Sequence, residues 1–200
     1  MTKGLIVGVD EVGYGAWAGP VVAAAVAFDP QAQDFPDNHV WHSVRDSKTL
    51  TKQARSRLSM RIRAAESRMI WGVGWASCQE IGQVGNLLTA TFQAMRRAIE
   101  RIGKPIEHVY IDGRNRPSHW PWPVTCVVKG DQSHPVISAA SIVAKVYRDT
   151  WMTCLGFRYP VYGWDRNKGY GTAYHRQAIE KYGWSNEHRP LRCRLLDSNQ

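Results

Sequence analysis

The stretch that most constrains the fold is GVDEVGYGAWAGP at residues 8–20. An apolar run, Leu5 to Val9, leads into the adjacent carboxylates Asp10 and Glu11, and a glycine-spaced turn follows. A second apolar run, Val21 to Phe28, is long enough to pair with the first as a hairpin. Carboxylates at the end of a buried strand are costly unless a cation neutralises them, and glycines let a ligand approach the backbone closely. The stretch therefore predicts a metal or phosphate site at a strand end.

Composition and charge narrow the class of protein. The 200 residues are 44% apolar, which is enough for one compact globular body. The chain has no apolar run of about 18 residues and no signal-peptide pattern, so we expect a soluble, cytoplasmic protein. The four cysteines are widely spaced without a C-x-x-C pair, which favours neither a zinc knuckle nor a disulfide framework. The net charge of +9 favours a polyanionic partner such as nucleic acid, although many soluble proteins are equally basic without one.

Hydrophobic periodicity predicts alternating strands and helices after the first hairpin and a surface loop over Asp29–Asn38. The predicted strands are Met69–Trp75, His108–Asp112 and Val124–Val128. The predicted helices are Thr51–Glu66, Val84–Ile102, Pro135–Thr153 and Thr172–Tyr182, with a glycine- and aromatic-rich loop over Pro160–Gly171. A strand, helix, strand order implies a parallel strand pair joined by a right-handed crossover, with ligands beyond the carboxyl ends of the strands.

Two further carboxylates stand out by their context. Asp112 ends a short apolar strand, as Asp10 does, and Asp149 lies one helical turn beyond Lys145. Hard divalent cations prefer oxygen ligands, and two such ions can activate water for phosphodiester cleavage. The alternative is that these acids are caps and turn residues, because spacing alone does not prove that they converge. The histidines are scattered, which does not favour a histidine metal site.

Several motifs together resemble bacterial ribonuclease HII over nearly the whole chain, from Gly8 to about Arg189. They are GVDEVG at 8–13, GPVVAAAV at 19–26, DSK at 46–48, IDG at 111–113, KGD at 129–131, ISAASIVAKV at 137–146, RD at 148–149 and KGYGT at 168–172. No single motif is specific, but the combination is.

The resemblance implies an α/β, RNase H-like fold with a five-stranded mixed sheet flanked by helices. It also implies a catalytic core over residues 1–153 and a small C-terminal helical extension over residues 154–200. The implied activity is cleavage of the RNA strand of RNA–DNA hybrids and incision 5′ of ribonucleotides embedded in duplex DNA, leaving 5′-phosphate and 3′-hydroxyl ends. A monomer is the family expectation, and a sliding-clamp contact through the tail after Arg189 is left open.

The resemblance also assigns site residues and a cofactor. The implied catalytic and metal-binding residues are Asp10, Glu11, Asp112 and Asp149, using Mg²⁺ or Mn²⁺ as two ions when substrate is bound. The implied substrate-binding residues are Gly13, Tyr14, Gly15, Lys48, Lys129 and Tyr170. The glycine turn would contact the ribonucleotide's 2′-hydroxyl region through its backbone, and Tyr170 would stack near the sugar at the RNA-to-DNA junction. The two lysines would lie near the substrate backbone.

This chain departs from the family pattern at three places. The family's turn usually carries Arg or Lys where this chain has Tyr14, which removes a cation near a phosphate while leaving backbone contacts intact. Gly82 stands where relatives commonly have Asp. Arg189 is followed by Pro190 and Leu191 rather than by Arg and Ser.

Two alternative functions follow from the same motifs. One is a hybrid-binding protein that has lost catalysis, which the intact carboxylates argue against. The other is an enzyme like ribonuclease HIII without its additional N-terminal domain, since only seven residues precede Gly8.

Overall fold

A five-stranded mixed sheet forms the centre of the protein in the computed structural model, which describes residues 4–28, 44, 50–64 and 69–190. The strands are β1 (Leu5–Val12), β2 (Val21–Phe28), β3 (Met69–Ala76), β4 (Ile106–Asp112) and β5 (Val124–Val127), arranged in the order β3-β2-β1-β4-β5. β2 is antiparallel to β1 and β3, whereas β4 is parallel to β1 and β5. The predicted mixed sheet, first hairpin and parallel pair are confirmed.

Helices cover both faces of this sheet. They are α1 (Lys52–Ala64), α2 (Cys78–Val84), α3 (Leu87–Glu100), α4 (Gly130–Ser133), α5 (Pro135–Arg158), α6 (Trp164–Asn167) and α7 (Ala173–Tyr182), with a 3₁₀ turn at Pro160–Tyr162. None of the helices in the described ranges is long and apolar enough to cross a membrane.

The core consists of two layers because side chains alternate across the strands. Val7 and Val9 of β1 point to one face, where they join a cluster with Ala94 and Met95 of α3. Val22, Ala24 and Val26 of β2 point to the other face, where they pack against α1 and α5. Glu11 points to the same face as Val7 and Val9, whereas Asp10 points to the opposite face, towards α5.

Gly8 allows α5 to approach the centre of the sheet. A Cβ atom at Gly8 would lie only 2.3 Å from the carbonyl carbon of Val136 and 2.5 Å from the backbone nitrogen of Ile137. No side chain fits between β1 and the start of α5, so the glycine fixes the spacing of these two elements.

Arg97 of α3 and Arg101, which directly follows α3, cap the outer edge of the sheet at β3. Arg101 donates a hydrogen bond to the carbonyl of Val73, and Arg97 donates one to the carbonyl of Trp75 at 2.6 Å. The strand carries glycines at 72 and 74, where a Cβ would collide with the carbonyls of residues 98 and 94 in α3. The missing side chains bring α3 close enough for the two arginines to reach the strand's edge.

The predicted helix Val84–Ile102 corresponds to α3, which runs from Leu87 to Glu100, and the shorter α2 before it was not predicted. α2 ends at Gly85, whose φ of 68° is left-handed, and Asn86 starts α3 by accepting a hydrogen bond from the N–H of Thr89 at 3.1 Å. α2 itself begins with a capping box between Ser77 and Glu80. These local stop and start signals place the beginning of α3 at Leu87 rather than at the predicted Val84.

Other boundaries also differ from the prediction. The predicted loop at Pro160–Gly171 contains the 3₁₀ turn and α6. α5 continues past Thr153 to Arg158, so the predicted boundary between residues 153 and 154 lies inside a helix, and the division into two domains stays a prediction. The predicted Asp29–Asn38 loop and the predicted helix end at Glu66 lie outside the described residues.

A buried histidine pair organises the C-terminal part of the protein. His175 Nε2 accepts a hydrogen bond from the indole of Trp164 at 3.0 Å and lies 3.1 Å from His188 Nε2. The Nδ1 atom of His188 accepts a hydrogen bond from the backbone of Ser185, so its Nε2 must donate to His175. His175 then donates from Nδ1 to the carbonyl of Tyr170 at 3.0 Å. In this arrangement both imidazoles are neutral, and the Trp164 and His188 donors share the one lone pair of His175 Nε2.

Replacing Gly8 with Ala tests the close approach of α5. We expect Gly8→Ala to lower the free energy of unfolding by roughly 2–3 kcal/mol, because the added methyl group must displace backbone. Gly15→Ala is the matched control, since nothing lies within 4 Å of a Cβ at that position, and it should change stability by less than about 0.5 kcal/mol. Urea titration followed by circular dichroism measures both. Equal stabilities of the two variants would contradict the role given to Gly8.

The histidine pair predicts a pH-dependent stability. Burial, and then the neighbouring His175, lower the pKa of His188 from 6.5 to about 4. Between these two pH values the unfolded chain binds a proton at His188 that the folded chain does not bind. The free energy of unfolding therefore decreases as the pH falls from 6.5 towards 4. Between pH 7 and pH 4.5, we expect the wild type to lose about 2 kcal/mol more than His188→Gln in urea titrations. Parallel losses in the two proteins would refute this role for His188.

Candidate metal and nucleic-acid site

The ends of two parallel strands bring three of the predicted carboxylates together. β1 and β4 pair with Val9 opposite Ile111, so Asp10 and Asp112 occupy the next position on neighbouring strands. Glu11 follows on β1 and lines the same cleft as Asp112. Because parallel strands end on the same edge of a sheet, carboxylates delivered by both strands lie at one place.

The electrostatics of these carboxylates confirm their proximity. Burial raises the pKa of Asp10 well above its usual value, and the nearby charges of Glu11, Asp112 and Asp131 raise it further. Burial, followed by the charge of Asp112, raises the pKa of Glu11 to about 7. The repulsion among these groups disfavours their ionised forms, and a bound cation would relieve it.

Asp131 is a buried acid that the sequence analysis did not assign to the site. It lies in α4, directly after β5, and its side chain is only 8% exposed. The neighbouring Gly130 donates its N–H to Oδ1 of Asp112 at 2.6 Å, which ties the loop after β5 to the carboxylate at the end of β4. Asp131 therefore joins Asp10, Glu11 and Asp112 at the same edge of the sheet.

Asp149 has different surroundings from the other predicted ligands. It forms an ion pair with Lys145, whose Nζ lies 2.8 Å from Oδ1. It also lines a separate cavity with Lys52 and Arg55 of α1. Its charge is not among the causes that raise the pKa values of Asp10 and Glu11.

The chemistry of this donor set fits a hard divalent cation. Carboxylate oxygens are the preferred ligands of Mg²⁺ and also suit Mn²⁺. Every side chain of the cluster is a carboxylate, so it offers neither a thiol nor an imidazole ligand. Across the described residues, no group of three or more His, Cys, Asp or Glu side chains is gathered closely enough to hold an ion as arranged. The carboxylates are neighbours that would have to converge on an ion.

The glycine turn borders the carboxylates in one cleft. Tyr14, which is 43% exposed, lines a cleft of about 220 Å³ together with Glu11, Asp112 and Gly113. Gly13 has a φ of 92°, and a Cβ there would collide with the guanidinium of Arg148. The turn can therefore adopt this course only with glycine at residue 13.

Buried Arg148 connects the glycine turn to the loop that carries Tyr170. Its guanidinium donates to the carbonyls of Pro20, Lys168 and Ala18 at 3.0, 2.9 and 3.1 Å. It also lies 5.4 Å from the centre of the Tyr170 ring. The carbonyl of Gly169 accepts a hydrogen bond from Trp17 N–H at 2.8 Å, so turn and loop are joined directly as well.

Arg189 holds the same turn from the C-terminal segment. It is 1% exposed and donates to the carbonyls of Gly19, Tyr14 and Gly13 at 3.0, 2.8 and 2.6 Å. Its own N–H donates to the carbonyl of Trp17 at 2.8 Å.

The two predicted basic contacts have different outcomes. Lys129 is exposed, and its backbone is in the left-handed conformation with a φ of 57°. It directly precedes Gly130, whose N–H donates to Asp112. It therefore lies beside the carboxylates, although a contact with substrate stays a prediction. Lys48 lies outside the described residues.

The residues that were missed differ in how visible they are in the sequence. Asp131 lies in the short helix shortly after β5, whereas Asp112 is the last residue of β4, so the strand-end argument gives only a weak signal for it. Arg148 and Arg189 carry no comparable signal, because a basic residue in a basic chain gives no indication that it is buried. Only the folded backbone reveals the carbonyls that they bind.

Comparison with known proteins assigns the family. The family model for ribonuclease HII matches residues 7–194. The chain is 44% identical over 185 residues to ribonuclease HII of Ehrlichia chaffeensis, covering 92% of this chain and 83% of that protein. It is 46% identical over 187 residues to ribonuclease HII of a Jannaschia species, with coverages of 93% and 88%.

Solved structures share the fold. A chain in the PCNA:RNase HII complex from Archaeoglobus fulgidus superimposes with a TM-score of 0.74 at 23% identity, covering 93% of this chain and 94% of that one. Bst-RNase HIII in complex with Mn²⁺ gives a TM-score of 0.67 at 21% identity, with coverages of 90% and 63%. These likenesses confirm the RNase H-like fold. The chain belongs to the ribonuclease HII family and is a ribonuclease H, an endonuclease that acts on RNA–DNA hybrids.

Proposed function

We propose that the protein incises duplex DNA on the 5′ side of embedded ribonucleotides and also cleaves the RNA strand of hybrids, leaving 5′-phosphate and 3′-hydroxyl ends. The observation that carries the proposal is the shared cleft, in which Glu11 and Asp112 lie beside the glycine turn at Tyr14. Hydrolytic groups and a backbone suited to probing a sugar are thereby next to one another.

The metal centre comprises Asp10, Glu11, Asp112 and a fourth carboxylate, with Mg²⁺ or Mn²⁺ as the ions. The resemblance assigns the fourth position to Asp149. The contacts favour Asp131, because its charge acts on Asp10 whereas Asp149 is paired with Lys145. When bound, two divalent ions supply an activated water and stabilise the charge that develops on the phosphate and the leaving oxygen. The carboxylates' role is to hold these ions at the strand ends.

Recognition of the substrate is assigned to the turn and to the loop that joins it. The 2′-hydroxyl is the group that distinguishes RNA from DNA, and it can accept or donate a hydrogen bond. The backbone of Gly13, Tyr14 and Gly15 contacts this group, and Tyr170 stacks near the sugar at the junction. The exposed side chain of Lys129 lies near the substrate's phosphates, and Lys48 is assigned a similar contact from the resemblance.

The wider setting of the enzyme follows from this substrate. Its substrate, a ribonucleotide in chromosomal DNA, lies in the bacterial cytoplasm. The protein therefore acts there, and it acts as a monomer. The archaeal structural neighbour is described in a complex with PCNA. A sliding-clamp contact of this chain would use residues after Arg189, and it stays a prediction.

Substituting the carboxylates tests both the activity and the identity of the fourth ligand. With Mg²⁺ or Mn²⁺ and a duplex containing one ribonucleotide, we expect wild type to nick the strand and Asp10→Asn to lose more than about 100-fold in kcat/KM. We expect Asp131→Asn to lose a similar factor, because it removes a member of the cluster. Asp149→Asn should stay within about tenfold, since its side chain pairs with Lys145 and lines a different cavity.

The same series shows which part of the proposal fails if the expectation is wrong. No nicking by wild type, or unchanged nicking by Asp10→Asn, would refute the proposed activity. A severe loss in Asp149→Asn with near-normal activity in Asp131→Asn would return the fourth position to Asp149. Mg²⁺ titrations of each variant separate weaker ion binding from loss of fold.

Tyr14 offers a separate test of the recognition turn. We expect Tyr14→Arg to bind a duplex with one ribonucleotide about 2- to 5-fold more tightly at low salt, because it restores a cation beside the phosphates. Tyr14→Gln is the uncharged control, and fluorescence anisotropy at two salt concentrations is the measurement. A salt-independent gain, or the same gain in both variants, would argue against a phosphate contact.

A further inference from the structure

Arg189 controls the orientation of two peptide groups in the glycine turn. Its guanidinium binds the carbonyl oxygens of Gly13 and Tyr14 at 2.6 and 2.8 Å. In a planar trans peptide the carbonyl and the following N–H point in opposite directions. The N–H groups of Tyr14 and Gly15 must therefore point away from Arg189.

These two N–H groups are available to a ligand. Tyr14 and Gly15 are both exposed, whereas Gly13 is buried. No described residue accepts a hydrogen bond from the N–H of Tyr14 or Gly15. Successive backbone donors on one side of a turn form a concave site for an electron-rich oxygen.

The guanidinium fork suits this task better than other side chains. Five N–H donors in a rigid plane can reach three carbonyls at once, and here they reach Gly13, Tyr14 and Gly19. The surrounding chain fixes the arginine, because Gly19 N–H donates to the carbonyl of Glu187 at 2.8 Å and Arg189 N–H donates to Trp17. The segment at 187–189 therefore pairs with the turn as a short antiparallel bridge.

We infer that Arg189 is a positioning residue for ribose recognition: it fixes the peptide planes of residues 13–15 so that the N–H groups of Tyr14 and Gly15 are presented to the 2′-hydroxyl region of the substrate. The inference rests on the proposed function, since it concerns the same cleft. It assigns a recognition role to a buried residue that contacts no substrate atom.

The test is a comparison of binding selectivity. The selectivity is the affinity for a duplex with one ribonucleotide divided by the affinity for the all-DNA duplex of the same sequence, measured by anisotropy with Ca²⁺ and no Mg²⁺ or Mn²⁺. We expect Arg189→Lys to lower this ratio at least 5-fold while the affinity for all-DNA duplex changes less than 2-fold. Lysine keeps the buried charge but lacks the planar fork. In Arg189→Ala, millimolar guanidinium should restore part of the ratio.

Arg97→Gln is the matched control. Arg97 also binds a backbone carbonyl, that of Trp75, but on β3, the outer strand of the sheet. Its selectivity should equal that of wild type even if its melting temperature falls as far as that of Arg189→Lys. A reduced ratio in Arg97→Gln would attribute the effect to general destabilisation and overturn the inference.

The remaining outcomes separate this inference from the proposed function. Wild-type selectivity in Arg189→Lys would overturn the positioning role while leaving the nuclease proposal intact. Absence of selectivity and of nicking in wild type would refute the proposed function itself. A fall in affinity for both duplexes by the same factor would also overturn the positioning role, because it would show a loss of general binding.

Discussion

The parallel pairing of β1 with β4 is the constraint on which the site depends. Nearly a hundred residues separate the two strands, and β2, β3 and α3 lie between them in the sequence. The pairing then places Asp10 beside Asp112, which concentrates negative charge in a mostly buried position. Such an arrangement opposes folding. The apolar layers on either side of the sheet must therefore supply the stability that the carboxylates take away.

A second requirement is that segments distant in sequence hold the glycine turn beside the carboxylates in a fixed position. Two buried guanidinium groups, Arg148 from α5 and Arg189 from the C-terminal segment, bind six main-chain carbonyls between them. Two of the departures from the family pattern also meet in this region, because a Cβ at Gly82 would lie 2.9 Å from Cγ of Pro190. The absence of a side chain at Gly82 thus lets Pro190 pack closely against α2.

The sequence predicts those parts of the molecule whose signals are local. The strands alternate or are continuously apolar, so β2 to β5 were placed to within about two residues, whereas β1 extends past the predicted end at Val9 to Val12. α2 was missed because its seven residues are too few to show a clear apolar repeat, and the predicted start of α3 at Val84 ignored the stop at Gly85. Among the site residues, Asp10, Glu11 and Asp112 are recognisable at strand ends. The partners of Arg189 are carbonyl oxygens, which every residue has, so no sequence pattern can indicate them.

The capped edge of β3 gives the sheet a chemically fixed boundary. An unpaired strand edge is a template on which another chain can add a strand. Here the carbonyls of Val73 and Trp75 are already occupied by guanidinium groups, and Arg97 is also held by Glu80 at 2.6 Å. Hydrogen bonding to Arg97 is the main cause that lowers the pKa of Glu80 to about 2, so this ion pair persists through most acid conditions. Strand-by-strand growth into fibres is thereby discouraged on this side of the molecule even where ordinary surface carboxylates have lost their charge.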